Sequence, residues 1–279
     1  MVRSYMFRRS DAQRLRCHCA RRTATLRPAI GIPGGDVPTG IGVDGCKDGW
    51  FYFELNGERS SFGHIQSAAE LKHLAPAGCC VLIDIPIGLP ESQRDTRACD
   101  ERARKVLKTP RRSSVFSAPC RQALRANSYE EALRINREVL GLGLSRQSWG
   151  IAPKIREVDE LLRGTWARTT LPREAHPEVC FWGLYGSAMR HPKKRRDGFH
   201  ERMQVLNIFE PLAEQLIASA FLTHGGFDAS RDDIVDAFVL ALCARSDAKR
   251  TLPEAPARDK RGLSMEMVYV SGRDLLTQP

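Results

Sequence analysis

Near residue 40 the apolar and polar positions change to a strand-like pattern. Ile41-Gly42-Val43-Asp44-Gly45 reads as a short apolar strand that ends on a carboxylate and turns at glycine, with Trp50 to Leu55 as a second strand. Cys79-Cys80-Val81-Leu82-Ile83-Asp84-Ile85-Pro86 is a continuous apolar run, the signature of a strand covered on both faces, and it too carries an Asp. Ile85 to Pro90, with two prolines and a glycine, reads as a loop. Helical spacing predicts helices over Ser67–Leu74, Thr96–Leu107, Ser128–Leu140 with a capping box to Glu131, and Gln147–Arg163 starting near Pro153. Further helices are expected at Val179–Tyr185, Phe199–Phe209, Leu212–Leu222 and Arg231–Arg245, and one more strand at Met265–Val270. Early strands followed by helices predict an α/β domain with a mixed sheet flanked by helices, over residues 40–250, with a tail over 251–279.

Residues 1–39 lack this patterning. They hold eight Arg, no Lys and two Asp, which leaves +4 of the formal +10 charge for the other 240 residues. The segment reads as a disordered Arg-rich extension, a form shared by transit peptides and nucleic-acid-binding arms. A basic chain suits a polyanionic partner, but the uneven spread weakens that inference for the folded part. Nine irregularly spaced cysteines predict reduced thiols and a cytoplasmic setting rather than a disulfide framework. No apolar run approaches the roughly 18 residues of a membrane helix, so no membrane partner is expected.

The chemistry lies in the acids. Asp44 and Asp84 end apolar strands, where an unpaired carboxylate is costly. Asp44 has a local alternative, a hydrogen bond to the turn at Gly45. In Arg231-Asp232-Asp233-Ile234-Val235-Asp236-Ala237, Asp232 and Asp233 suit the first turn of a helix, where capping and the helix dipole favour acids. Asp236 sits inside the apolar stretch and has no such explanation. Four carboxylates on separate rigid elements suit hard divalent cations such as Mg²⁺ or Mn²⁺. Two such ions about 4 Å apart hold the attacking water and leaving oxygen of a phosphodiester.

This pattern resembles the RNase-H-like nuclease superfamily, in which the first strand, a central strand and a late helix supply the acids. Asp233-Ile234-Val235-Asp236-Ala237 is similar to the D-x-x-D-A of Holliday-junction resolvases. The chain resembles more closely an uncharacterised family of predicted RNase-H-like nucleases, domain-of-unknown-function family 429. The matching pieces are Gly42-Val43-Asp44-Gly45-Cys46, Ile83-Asp84-Ile85-Pro86-Ile87-Gly88-Leu89-Pro90, Arg112-Ser113-Ser114-Val115-Phe116, Pro153-Lys154-Ile155, His176-Pro177-Glu178 and Asp232 to Ala237. The resemblance implies an RNase-H-like mixed sheet with helical insertions between the central strand and the last helix. It implies a metal-dependent nuclease acting on nucleic acid, with Asp44, Asp84, Asp233 and Asp236 as metal ligands.

Glu178 is a candidate further catalytic acid, and His176 a proton shuttle or substrate contact; His-Pro-Glu also suits a turn that caps a helix. Lys154, Arg111 and Arg112 are candidate phosphate contacts, and Lys193-Lys194-Arg195-Arg196 a candidate basic patch. Trp149 and Trp182 suit either base stacking or core packing. Two rival readings stand beside the nuclease. One is a non-enzymatic scaffold or nucleic-acid-binding module whose acids form structural pairs. The other is an actin-like phosphotransferase, which calls for a second apolar strand bearing Gly-x-Asp and a Gly-rich adenosine loop; neither is read in the chain.

Overall fold

A computed structural model describes residues 24–26, 38–57, 60–75, 78–164, 172–225 and 229–277. In chain order its strands are β1 Ala24–Leu26, β2 Gly40–Cys46, β3 Gly49–Leu55, β4 Ser60–Ile65, β5 Cys80–Ile83, β6 Arg173–Glu174, β7 Lys249–Arg258 and β8 Ser264–Val270. The helices are α1 Leu71–Leu74, α2 Ala98–Arg111, α3 Tyr129–Leu140, α4 Arg146–Gly150, α5 Ala152–Leu162, α6 Pro177–Tyr185, α7 Arg196–Phe209, α8 Ala213–His224, α9 Arg231–Arg245 and α10 Gly272–Leu276. The main sheet runs β1-β4-β3-β2-β5-β6, with β7 and β8 forming a separate antiparallel pair. β1 through β4 pair antiparallel, while β5 is parallel to β2 and β6 parallel to β5. This is the expected α/β class: a mixed sheet between helices, with α2 to α8 inserted between β5 and α9.

Period-2 alternation decides what each face of the sheet meets. Ile41 and Val43 of β2, with Trp50, Tyr52, Val81 and Ile83, pack against Ile155, Val158 and Leu162 of α5. The opposite face presents Phe51, Phe53, Leu55, Phe62 and Leu82 to the apolar body of α9. On that face β2 contributes Gly40 and Gly42, then Asp44. A Cβ on Gly42 would stand 2.1 Å from the Ala237 carbonyl oxygen and the Ala241 nitrogen, and one on Gly40 2.2 Å from the Arg245 nitrogen. The two glycines therefore let the backbone of α9 lie directly on the backbone of β2. Small residues at Ala237, Ala241 and Ala244 complete the fit from the helix side.

The predicted helices are found at the expected places. The Gln147–Arg163 segment divides at Ile151 into α4 and α5, with Pro153 in the first turn of α5. α2 loses helical geometry at Lys108 (φ 53°) and Thr109, so its regular part ends where the pattern ended, at Leu107. At the start of α3, Ser128 Oγ accepts from Glu131 N (3.1 Å), but the Glu131 carboxylate takes Asn127 N (2.8 Å) rather than the amide of Ser128, so the capping box closes one residue early.

Two expectations need correction. The domain end placed at residue 250 falls inside β7, and the 251–279 tail holds most of a two-stranded hairpin rather than one short strand. Val268 and Val270 of β8 join the main core, so the hairpin is part of the same body. Of the Arg-rich segment 1–39, Ala24–Leu26 pairs with Ser60–Phe62 as the sheet edge; the disorder expected for that segment otherwise concerns residues outside those described, apart from 38 and 39.

The close seating of α9 predicts that Gly42→Ala is expensive. The added methyl meets helix backbone that cannot rotate away, and overpacking of this kind costs about 1–3 kcal/mol. Gly150→Ala, whose Cβ meets nothing within 4 Å, should be neutral or mildly stabilising. Thermal unfolding of the two variants checks this; equal melting temperatures would show that α9 is not packed as described.

Candidate metal centre

Asp44 and Asp84 are neighbours across the parallel β2–β5 pair. Val43 pairs with Ile83, and the Asp84 amide continues the ladder by donating to the Val43 carbonyl at 3.0 Å. Asp84 shares its face with Leu82, and Asp44 with Gly42, so both carboxylates point toward α9. Asp236, one residue before Ala237, meets them from above and is 1% exposed. The local alternative for Asp44 is also fulfilled, since one of its oxygens accepts the Gly45 amide at 2.8 Å. That bond leaves the carboxylate inside the cluster.

The environment is hostile to three negative charges. Burial, then Asp84 and Asp236, raise the Asp44 carboxyl well above the ordinary range. Burial likewise raises Asp84. Burial pushes Asp236 up to about 6, with Asp84 and Glu178 adding to the rise. The opposing charge is Lys193. Its ammonium donates to Asp236 in a short contact, stands 3.7 Å from Asp232, and is held protonated by Asp236, Asp44 and Asp84 against the cost of burial. The patch expected at Lys193–Arg196 therefore divides. Lys193 turns inward, Arg195 pairs with Asp197 at 3.1 Å, and Arg196 opens α7.

Glu178, in the first turn of α6, is buried beside Asp84 and Asp236. One of its oxygens pairs with Arg202, which is itself 1% exposed; the other, Oε2, is buried without a partner among the described residues. Arg202 is fixed by the carbonyls of His191 (3.1 Å) and Gly198 (2.9 Å). His176 caps α6: Nδ1 accepts the Glu178 amide at 3.1 Å and Nε2 faces the Ser114 carbonyl at 3.2 Å. That pattern assigns the proton to Nε2 and leaves neither ring nitrogen free for a substrate.

Asp233 is divided between two tasks. Its Oδ2 accepts the Ser230 amide at 2.8 Å in a capping box, and its charge still reaches Asp44 from the rim. The remaining candidates stand apart. Lys154 lies under the opposite face of the sheet, bonded to the Gly49 carbonyl and stacked 4.6 Å from the Trp50 ring centre. Arg111 ends α2 and Arg112 is exposed beyond it. Sequence reasoning missed the inward Lys193 and the buried Arg202, although an Arg at 202 between Phe199 and Leu206, on an otherwise apolar stripe, marks a residue that needs a buried acid.

Cys99, Asp100 and Glu174 form a second acidic group. Among the described residues it is the one whose donor atoms all lie within 4.8 Å; the oxygens of Asp44, Asp84 and Asp236 are spread more widely. Its charge is already answered. The Arg97 guanidinium bonds Asp100 (3.1 Å), Glu174 (2.6 and 2.8 Å) and the Ile87 carbonyl (2.6 Å), and burial pushes the Cys99 thiol up. This network ties the loop after Asp84 to the strand before His176, and so supports the centre rather than forming another. Arg121 adds a second brace, joining Asp159 of α5 to Glu91 and Asp259.

A model for the family described as protein of unknown function, DUF429, matches residues 42–258. The chain belongs to DUF429. The matched span contains Asp44, Asp84, Glu178, Lys193 and Asp236, and it extends through β7. No curated protein and no solved structure matches the chain. The seven cysteines among the described residues are free, and no helix there is long and apolar enough to cross a membrane.

The raised Asp236 carboxyl has a definite consequence for stability. Its folded value, about 6, lies above the unfolded value near 3.9, so the native state binds the proton more tightly. That contribution is complete below the unfolded value and is lost as pH rises through about 6. In chelator, the stability of wild type relative to Asp236→Asn should fall by about 1 kcal/mol between about pH 5 and about pH 7. A pH-independent difference in melting would contradict the burial and repulsion described.

Proposed function

We propose that this protein is a divalent-metal-dependent nuclease of RNase-H-like architecture, with Mg²⁺ or Mn²⁺ bound by Asp44, Asp84 and Asp236. The observation that carries the reading is the meeting of three carboxylates, the buried Asp44 and Asp236 and the half-buried Asp84, from β2, α9 and the end of β5, beside a single ammonium group. The donors are hard oxygens, the class that Mg²⁺ and Mn²⁺ take. Glu178, whose charge acts on Asp84 and Asp236 and whose Oε2 is buried without a partner among the described residues, adds a fourth carboxylate, and Asp233 a fifth at the rim. The sheet order, with acids on adjacent parallel strands and on a late helix over them, supports the RNase-H-like assignment.

The chain's own groups divide the work. Asp44, Asp84 and Asp236 hold their oxygens on rigid elements, which fixes them without reorganisation. Arg202 holds one Glu178 oxygen, and His176 caps the helix that carries Glu178 by accepting its backbone amide. Gly45 N holds one Asp44 oxygen in place. Lys193 supplies the compensating charge and must withdraw its ammonium as a cation enters; it sits on the exposed loop between α6 and α7, where withdrawal strains nothing in the core. A bound divalent ion would supply Lewis-acid activation of water and neutralise charge on the phosphodiester.

The Lys193–Asp236 pair favours a second reading, a scaffold in which Lys193 is the permanent counter-ion. Cleavage assays on labelled single- and double-stranded DNA and RNA, with Mg²⁺ and with Mn²⁺, test the first. The proposal expects cleavage by wild type and none by Asp44→Asn; inactivity of wild type on every substrate with both ions would overturn it. Lys193→Met separates the readings by melting. For a metal centre, the variant is less stable than wild type in chelator and binds Mn²⁺ more tightly, regaining about 2.7 kcal/mol when the ion is at a hundred times its dissociation constant. For a scaffold, the loss is the same and the ion restores none of it.

A further inference from the structure

One end of α2 and the α6–α7 loop enclose an open groove of about 860 Å³ that plays no part in the carboxylate cluster. Its rim carries Arg102, Lys105, Lys108, Arg111 and Arg190, and among the described residues no Asp or Glu lines it. None of these five side chains makes an ion pair among the described residues, whereas Arg97, Arg121, Arg173 and Arg202 all do. Arg111 goes further: its Nε is buried and has no hydrogen-bond partner among the described residues. Five uncompensated cations around one depression repel one another and invite a polyanion.

The floor has a different chemistry. Trp182 lies there half-buried, braced by Tyr269 at 5.2 Å between ring centres, with Leu252 beside it. A cationic rim over an aromatic floor suits an unpaired nucleotide, whose base stacks on the indole while its phosphates meet the rim. A base pair inside a duplex presents no face to such a floor.

The groove also adjoins the carboxylates along the chain. Trp182 follows Glu178 by one helical turn. Arg190 and Lys193 lie on the same loop, and the turn after Arg111 ends at Ser114, whose carbonyl faces His176. We infer that this groove binds single-stranded nucleic acid and leads its backbone to the carboxylate centre. The inference rests on the nuclease reading above for the identity of the polyanion, and it adds the strand path and the preference for unpaired bases.

Binding is measured by fluorescence anisotropy with a labelled single-stranded oligonucleotide and a duplex of the same length, using full-length Asp44→Asn in chelator so that nothing is cleaved. Comparison within the full chain cancels the contribution of the Arg-rich N-terminus. The inference expects tighter binding of the single strand. Lys105→Ser with Arg190→Ser, both exposed, should weaken it about tenfold or more and flatten the salt dependence by about 0.7 for each phosphate no longer neutralised. Trp182→Phe should keep most of the affinity and Trp182→Ala lose about tenfold, within the range of one stacked base. Equal affinity for both oligonucleotides, or an unchanged affinity and salt slope in the charge variant, would overturn the groove. Failure of the nuclease reading gives a different result: the single strand binds through the groove, but wild type with metal cleaves nothing.

Discussion

The contact between α9 and β2 is the constraint on which the centre depends. A helix ordinarily rests on a sheet through its side chains. Here Gly40 and Gly42 remove the side chains from one face of β2, and the helix comes down to backbone contact. Two consequences follow from one geometry. The apolar body of α9 is buried along its length, and Asp236 is carried to the level of Asp44 and Asp84. A larger residue at either glycine would lift α9 and separate the acids, although the sheet itself would remain intact.

Charge is the second constraint, and it opposes the first. Close packing dries the site, which raises the carboxyl groups and makes each uncompensated acid more costly. The fold answers with counter-charges of two kinds. Arg97, Arg121 and Arg202 are locked by several acceptors each and act as permanent parts of the frame. Lys193 reaches in from a loop on a flexible stem, with its backbone outside the core. The distinction matters because a replaceable cation is what a metal centre needs, and a permanent one is what a scaffold needs.

The parts of this arrangement differ in how far they could be read from the chain. Asp44, Asp84 and Asp236 were legible because a carboxylate inside an apolar run has few innocent explanations, and the structure brings all three to one face. Asp233 was less so, since the same residue type also caps helices, and here it does cap α9. The seating of α9 was legible in principle: Gly40-x-Gly42 empties one face of a strand, and Ala237, Ala241 and Ala244 empty the facing side of the helix. Lys193 was not, because four successive basic residues on a loop do not say which one turns inward. β7 was hidden by Pro253 and Pro256, which argue against a strand; the register shift between Leu252 and Ala257 is where the pairing tolerates them.

The central claim is that the space among Asp44, Asp84 and Asp236 is built for a metal ion and that Lys193 only holds it meanwhile. The most direct measurement is anomalous diffraction from crystals of the protein grown with Mn²⁺. The account predicts an anomalous peak coordinated by those three carboxylates, with the Lys193 ammonium withdrawn from Asp236. Crystals saturated with Mn²⁺ that show no peak there, and Lys193 still paired with Asp236, would contradict it.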